Sequence, residues 1–171
     1  GMSQQEGLGI AVDTLGNIYL TGYFRHTVYF DTIALTSSGL NDIFMARFNK
    51  EGKLLWAKRA GGKYVDKGFA IAASATAVYV TGCYSDTADF SGHLVSSAGI
   101  TDIFIAKYDT SGNFIWVKHG GGDDDDFGKA ITIDSYENVL VTGTFGSDFG
   151  NFDTLAITGA GLEDIFLTKL E

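Results

Sequence analysis

The sequence predicts an all-β fold built from three copies of one unit. The segment around Trp56 recurs around Trp116, about 60 residues later. The dipeptide Thr-Gly recurs at the same interval, at residues 21–22, 81–82 and 142–143. The chain also has 23 glycines and no proline. This composition is typical of many short strands joined by tight turns.

The longest repeated segment begins each time with Asp-Ile-Phe. Residues 42–58 read DIFMARFNKEGKLLWAK, residues 102–118 read DIFIAKYDTSGNFIWVK, and residues 164–170 read DIFLTKL. A fixed period of this size indicates a repeat architecture. Because each unit solves the same structural problem, a repeated residue is a poor candidate for a unique catalytic group.

We divide the chain into a lead-in, residues 1–6, and a single domain, residues 7–171. The domain contains the units 7–66, 67–126 and 127–171. In the first unit, alternation of apolar and polar residues predicts four strands, at residues 7–13, 18–24, 42–48 and 53–59. Residues 25–40 predict a short extra hairpin or an extended excursion. No segment combines helical spacing with capping signals, so no helix is predicted.

Turn and glycine positions give finer expectations. Asp13 should accept hydrogen bonds from the backbone ahead of it, and Gly16 should adopt a positive φ. In the third unit, Asn138 is expected to take the left-handed conformation, because its turn lacks the glycine. Glycines inside the second strands, at Gly22 and its equivalents, predict close packing between neighbouring units.

Four antiparallel strands connected in sequence are typical of a β-propeller blade. A β-solenoid and a stack of β-sandwich repeats are the alternatives, but solenoid coils are usually shorter than about 45 residues. The prediction is therefore a β-propeller of four-stranded antiparallel blades, three per chain, with the last blade incomplete. Because propellers have at least four blades, we hypothesise a homodimer that completes a six-bladed ring about a two-fold axis. An open arc, or one piece of a longer propeller, would also accommodate the pattern.

Several of these segments resemble the bacterial β-propeller repeat (SBBP) family. The resemblance rests on residues 7–13, 16–22, 102–118 and 120–122. It departs at Ser74, which replaces the turn aspartate, and in the two turns without glycine. The resemblance implies a propeller and an extracellular, cell-surface or periplasmic location. It implies no enzyme activity.

Composition excludes some partners. The formal net charge of −9 disfavours nucleic acid, whose phosphates require clustered lysine and arginine. No apolar segment has the roughly 18 residues that a membrane span requires, so no membrane insertion is predicted. Cys83 is the only cysteine, which excludes an intrachain disulfide, and its place in the repeat indicates a structural thiol.

Candidate ligand-binding residues are few. Arg25 and His26 follow the second strand in a variable segment, as do residues 85–86 and 147–148 in the other units. Trp56 and Trp116 are expected to pack in the core, with a saccharide platform as the alternative. The run Asp123, Asp124, Asp125 and Asp126 is a candidate site for Ca²⁺, which prefers oxygen ligands. A solvated loop between units explains the same run.

We find no catalytic constellation in the sequence. The leading hypothesis is a non-catalytic interaction or scaffold module that binds protein or glycan. A structural spacer repeat and a hydrolase or lyase with its site in an axial channel are the alternatives. The hydrolase or lyase would require non-equivalent polar residues to converge at that channel.

Overall fold

The structure, a computed structural model, describes residues 4–152, 155–159 and 162–170, and these form an all-β fold without a helix. The strands in chain order are β1 Gln5–Val12, β2 Ile18–Phe24, β3 Thr27–Phe30, β4 Ile33–Thr36, β5 Asp42–Phe48, β6 Leu54–Gly62, β7 Lys67–Ala73, β8 Ala77–Tyr84, β9 Thr87–Phe90, β10 His93–Ser96, β11 Asp102–Asp109, β12 Phe114–Gly122, β13 Asp126–Ile133, β14 Val139–Phe145, β15 Phe149–Phe152, β16 Leu155–Thr158 and β17 Asp164–Leu170. All pairings between these strands are antiparallel.

Each unit is a meander with a hairpin inserted after its second strand. In the first unit the meander is β1-β2-β5-β6, and β3-β4 is the hairpin. The second unit repeats this order as β7-β8-β11-β12, and the third contains β13-β14-β17. Strand β1 begins at Gln5, inside the predicted lead-in, because Gln5 and Glu6 pair with Phe24 and Tyr23. The hairpin alternative for residues 25–40 is confirmed.

The inserted hairpins pair with the preceding unit. Strand β9 pairs with β6 through Gly61 and Gly62, and β15 pairs with β12 through residues 120–122. Each six-stranded sheet therefore contains four strands from one unit and two from the next. Among the described residues, hairpin β3-β4 is paired only with itself and no sheet closes on itself.

The turns follow the expected chemistry, with one exception. Asp13 Oδ1 accepts hydrogen bonds from the backbone of Leu15 and Asn17, both at 2.9 Å, and Gly16 has φ = 83°. In the third unit the left-handed residue is Glu137, with φ = 66°, so the expectation for Asn138 was wrong. The Asn138 side chain donates instead to Asp134 Oδ2 at 2.8 Å, and Glu137, the preceding residue, takes the left-handed conformation that the turn requires.

Glycines of the first and second strands meet where neighbouring units pack, because the Cβ position of Gly68 lies 3.4 Å from the carbonyl oxygen of Gly22 in the preceding unit. A Cβ atom at Gly22 would collide with the carbonyl oxygen of Glu6, which belongs to the neighbouring strand of the same unit. A Cβ atom at Gly68 would instead collide with the hydroxyl of Thr21, in the preceding unit, and Gly128 meets Thr81 in the same way. The contact between units therefore depends on the glycine of the first strand, which lies on the surface facing the previous unit.

The hydrophobic core lies between units. Residues from β2 and β5 of the first unit pack against β7, β8 and β11 of the second, and the main side chains are Tyr19, Ile43, Met45, Ile71, Val78, Val80 and Phe104. The second and third units form an equivalent cluster, which contains Tyr79, Ile103, Ile105, Val139, Val141 and Phe166. Stacking of one sheet on the next therefore provides most of the buried apolar surface.

Candidate functional site

Two buried carboxyl groups lie together at each junction between units. At the first junction they belong to Asp42, which begins β5, and Asp66, just before β7. At the second they belong to Asp102, which begins β11, and Asp126, which begins β13. All four residues are at most 2% exposed. Burial of a charge is costly unless the charge is paired or hydrogen-bonded. The hydrogen-bond and ion-pair partners of these carboxyl groups therefore determine the chemical properties of each junction.

The first junction has a cationic partner. Asp42 Oδ2 accepts hydrogen bonds from the backbone of Ser38 at 3.0 Å and from Arg59 Nη1 at 2.5 Å. The same Nη1 atom contacts the Ser38 hydroxyl. Asp66 accepts hydrogen bonds from the backbone of Gly62 and Ser85, but burial, with the nearby Asp42 charge adding to it, raises the pKa of Asp66 to about 7.

At each junction a glycine leaves free the space in which the two carboxyl groups approach each other. A Cβ atom at Gly61 would lie 2.9 Å from Asp66 Oδ2 and 3.0 Å from Asp42 Cγ. At Gly121 it would lie 2.7 Å from Asp102 Oδ1 and 2.8 Å from Asp126 Oδ2. Gly61 also has φ = 134°, a conformation that other residues rarely adopt. Each carboxyl pair therefore depends on a glycine, because a side chain at that position would collide with both carboxyl groups.

The second junction lacks the arginine. His119 occupies the place of Arg59 in the repeat, and a hydrogen bond of 2.9 Å joins its Nδ1 atom to the Tyr84 hydroxyl. Asp102 Oδ2 accepts a hydrogen bond from the backbone of Ala98 at 3.1 Å. Its Oδ1 atom, like that of Asp42 at the first junction, is buried and has no hydrogen-bond partner in the part of the chain that the structure describes. Burial raises the pKa of Asp102 above its ordinary value, and Asp126 adds to the effect.

A cavity opens beside Asp102. Its volume is about 260 Å³, and it is lined by Ser96, Ala98, Asp102, His119, Gly120, Gly121 and Asn151. The sequence marks Asp102 as one of the repeated aspartates that precede Ile-Phe, and a carboxylate there is expected to accept backbone hydrogen bonds, but a cavity beside it was not predicted. The signal was present in the comparison of units, because Arg59 and His119 differ at one position of an otherwise similar segment.

The structure places Arg25 and His26 between β2 and β3. His26 is exposed with φ = 68°, and its backbone N–H donates to the Ser37 hydroxyl at 3.0 Å. The backbone N–H of Arg25 donates to the Gln4 carbonyl at 2.7 Å. Neither residue lines the Asp102 cavity.

The two tryptophans are half-buried on the fourth strands. Trp56 Nε1 donates to the carbonyl oxygen of Thr110 at 3.0 Å, so its indole links the first unit to a turn of the second. Trp116 packs on Tyr79, with ring centroids 6.1 Å apart. The tryptophans are thus in equivalent positions of two units and do not converge on one site.

The acidic run separates into two environments. Asp123, Asp124 and Asp125 are exposed, whereas Asp126 points into the second junction, where it accepts hydrogen bonds from the backbone of Gly122 and Gly146. Among the described residues, no group of three or more His, Cys, Asp and Glu side chains is arranged to hold a metal ion. The Ca²⁺ hypothesis for this run stays a prediction.

The variable positions after the second strands also lie in different surroundings. Ser85 and Asp86 border a groove of about 490 Å³ with apolar walls that include Leu40 and Ile100. Ser147 is buried, and its hydroxyl donates to Asp126 Oδ2 at 3.1 Å. The Ser147 hydroxyl is thus a hydrogen-bond partner of Asp126 at the second junction.

Similarity to known proteins agrees with the repeat architecture. Residues 6–23 match the model of the beta-propeller repeat family, SBBP. This match covers nearly all of the β1-β2 hairpin and confirms the resemblance there. An uncharacterized WD repeat-containing protein of Acanthamoeba polyphaga mimivirus is 24% identical over 204 residues, which cover 97% of this chain. The chain spans 15% of that relative's length.

Membrane crossing by a helix has no support in the described part of the chain. None of its residues belongs to a helix that is long and apolar enough to span a bilayer.

Proposed function

We propose that this chain is a non-catalytic propeller scaffold whose end blades bind a second copy of the chain. In this proposal each of the three units forms one blade. One observation carries it: the two outermost faces of the stack expose apolar side chains that are buried at the equivalent positions inside it. Together, the family match and the viral relative support a repeat scaffold in general terms.

The first of these faces belongs to β1. Ile10 is 69% exposed, although the equivalent Ile71 is only 5% exposed because the first unit covers it. Leu8 and Val12, which also belong to β1, are exposed as well. Three apolar side chains on one strand form a patch suited to burial by another sheet.

The second face belongs to β17. Ile165 and Leu167 are 87% and 73% exposed. The equivalent residues of the first unit, Ile43 and Met45, are buried against the second unit. The β17 face is thus the kind of surface that covers Ile71 within the chain, and it is free to cover Ile10 of another copy.

The glycine contact supports the same partner. Gly68 and Gly128 each face a threonine of the preceding unit, whereas no atom of the described residues lies within 4 Å of the Cβ position of Gly7. Thr142 is the equivalent threonine of the third unit. A second copy would bring its Thr142 over Gly7, and a head-to-tail pair that closes on itself would have six blades, within the usual range.

The location of the scaffold rests on the family resemblance. We place it outside the cytoplasm, at a bacterial surface or in a secreted protein, where a closed ring would present its loops to protein or glycan ligands. Equilibrium binding to glycan arrays and to candidate surface proteins would identify those ligands.

The association is tested by light scattering coupled to size-exclusion chromatography. We expect a mass of about twice the 18.3 kDa of one chain at micromolar concentration. Leu167→Glu should give single chains, because burying an unpaired carboxylate in the contact should raise the dissociation constant about 100-fold or more. Leu55→Glu is the matched control, since Leu55 and the equivalent Ile115 are both exposed in the described chain. A single-chain mass for the unmodified protein would refute the dimer.

A further inference from the structure

We propose that the cavity beside Asp102 binds a guanidinium group, carried by an arginine side chain of a partner or by a free guanidino compound. This site is separate from the end faces and does not depend on the dimer. Two equivalent places in the chain differ, because one contains a guanidinium and the other is open.

The first junction shows how the fold holds a guanidinium. Arg59 extends from β6, and its Nη1 atom contacts both Asp42 Oδ2 and the Ser38 hydroxyl. Asp42 is fully buried, so Arg59 is the charge partner of a carboxylate that water does not reach. A planar guanidinium offers five N–H donors in a fixed fork to such a site, whereas an ammonium offers three donors from a single atom.

At the second junction the internal guanidinium is replaced. His119 stands at the position of Arg59, and Ala98 stands at the position of Ser38. Asp102 remains, but it lacks the cationic donor that Asp42 Oδ2 has in Arg59. The Oδ1 atoms of both aspartates are buried and have no hydrogen-bond partner among the described residues. A buried acceptor without a partner is unfavourable, so a donor that enters the cavity would gain from pairing with it.

A second substitution keeps His119 directed to a different partner. Tyr84 replaces Phe24 of the first unit and supplies the hydroxyl that bonds to His119 Nδ1. The two rings also pack edge to face, with centroids 6.0 Å apart. Because Phe24 has no hydroxyl, this arrangement exists only at the second junction. The pair Tyr84 and His119 therefore holds the cavity open next to Asp102.

The size and remaining lining of the cavity suit the proposed ligand. A volume of about 260 Å³ exceeds the roughly 30 Å³ that one water occupies in the liquid, so a group of four heavy atoms fits. Ser96 and Asn151 also line the cavity, and the side chain of each carries a neutral oxygen acceptor. At the first junction the equivalents of these residues are Thr36 and Asp89.

Nuclear magnetic resonance of ¹⁵N-labelled full chain provides the test. Methylguanidinium chloride is titrated at constant chloride concentration, and the amide signals of Gly121 and Asn151 are followed. We expect saturable shifts at these residues. Methylammonium chloride is the parallel titration, and equal binding of that compound would overturn the guanidinium assignment.

Two variants locate the binding. Asp102→Asn removes the charge, and we expect it to weaken binding about tenfold or more, because hydrogen bonds to charged groups contribute at least that factor. His119→Arg restores the arrangement of the first unit, so its own guanidinium should fill the cavity, abolish the shifts and raise the melting temperature. His93→Arg adds the same charge outside the cavity and should leave binding unchanged.

The source of the group is resolved by a second ligand, the tripeptide acetyl-Gly-Arg-Gly-amide. Binding at least as tight as that of methylguanidinium indicates an arginine side chain of a partner protein, and binding of methylguanidinium alone indicates a free guanidino compound. Absence of saturable shifts with both compounds, or shifts that persist in His119→Arg, would overturn the proposal. His119→Arg keeps the test decisive if Asp102→Asn fails to fold.

Discussion

The hydroxyl of Thr21 fills the space directly above the Cα atom of Gly68, so these two residues set how closely the first and second units approach. The hydroxyl is itself fixed, since it donates a hydrogen bond to the carbonyl oxygen of Phe44 at 2.9 Å. Thr81 and Gly128 repeat the relationship between the second and third units.

Substitution of Gly68 is therefore expected to separate the units. Gly68→Ala should lower the free energy of unfolding by about 1–3 kcal/mol, because the added methyl group displaces a buried and hydrogen-bonded threonine. Urea unfolding of dilute protein measures the change. Gly7→Ala is the matched control, since the Cβ position of Gly7 is open, and it should change the stability of the single chain by less than about 0.5 kcal/mol. Equal losses for the two variants would contradict this account.

The carboxyl group of Asp66 should give stability a distinctive pH dependence. Its pKa is raised to about 7 by burial, with the backbone hydrogen bonds and Asp42 as further influences, whereas an unfolded aspartate has a pKa of about 3.9. The folded chain thus binds this proton more tightly. The resulting stabilisation is complete below pH 4 and is lost as the pH rises to about 7.

Urea unfolding at a series of pH values tests this assignment. Asp66→Asn should flatten the decline of stability between pH 4 and 7, while Asp125→Asn, which removes an exposed carboxylate next to the second junction, should retain it. If Asp66→Asn leaves the slope as it was, Asp66 is not the responsible group.

Trp56 should contribute to stability through a single hydrogen bond as well as through packing. Trp56→Phe removes the indole N–H that reaches Thr110, and this loss should cost about 1 kcal/mol beyond the loss of ring area. Trp116→Phe removes the same atoms at the equivalent position, where the described residues provide packing on Tyr79 but no acceptor for the indole. Thermal unfolding should therefore rank Trp56→Phe as the more damaging change, and the reverse order would count against the role of Thr110.

Cys83 should be unreactive in the folded chain. The side chain is buried in β8, and burial raises the pKa of its thiol to about 12, so little thiolate forms near neutral pH. An aromatic disulfide reagent should react with one thiol immediately in denaturing urea and only at the rate of local opening in buffer. A folded-state rate close to that of a free thiol would show that β8 is accessible.

The sequence predicted the features that recur in every unit. Repeated apolar alternation predicts β2 and β5, and the chemistry of aspartate predicts the Asp13 turn. It did not predict that β9 pairs with β6, because a period indicates what is repeated without indicating which repeat supplies a strand to which sheet. The Asp102 cavity was missed for a related reason. A repeat identifies the residues that recur, whereas the cavity is present where Arg59 and His119 differ between units.

The pairing of each hairpin with the preceding unit has a consequence for how such a chain could have changed its length. Strands β6 and β9 are hydrogen-bonded, yet β7 and β8, which lie between them along the chain, belong to the neighbouring sheet. The backbone therefore passes from one sheet into the next and then returns to the first sheet. Each return of a hairpin to the preceding sheet occurs once per period. Duplication or deletion of one whole period in the gene would therefore pair a hairpin with an equivalent fourth strand. Recombination at any point of the unit would thus preserve complete sheets, provided that whole periods were exchanged.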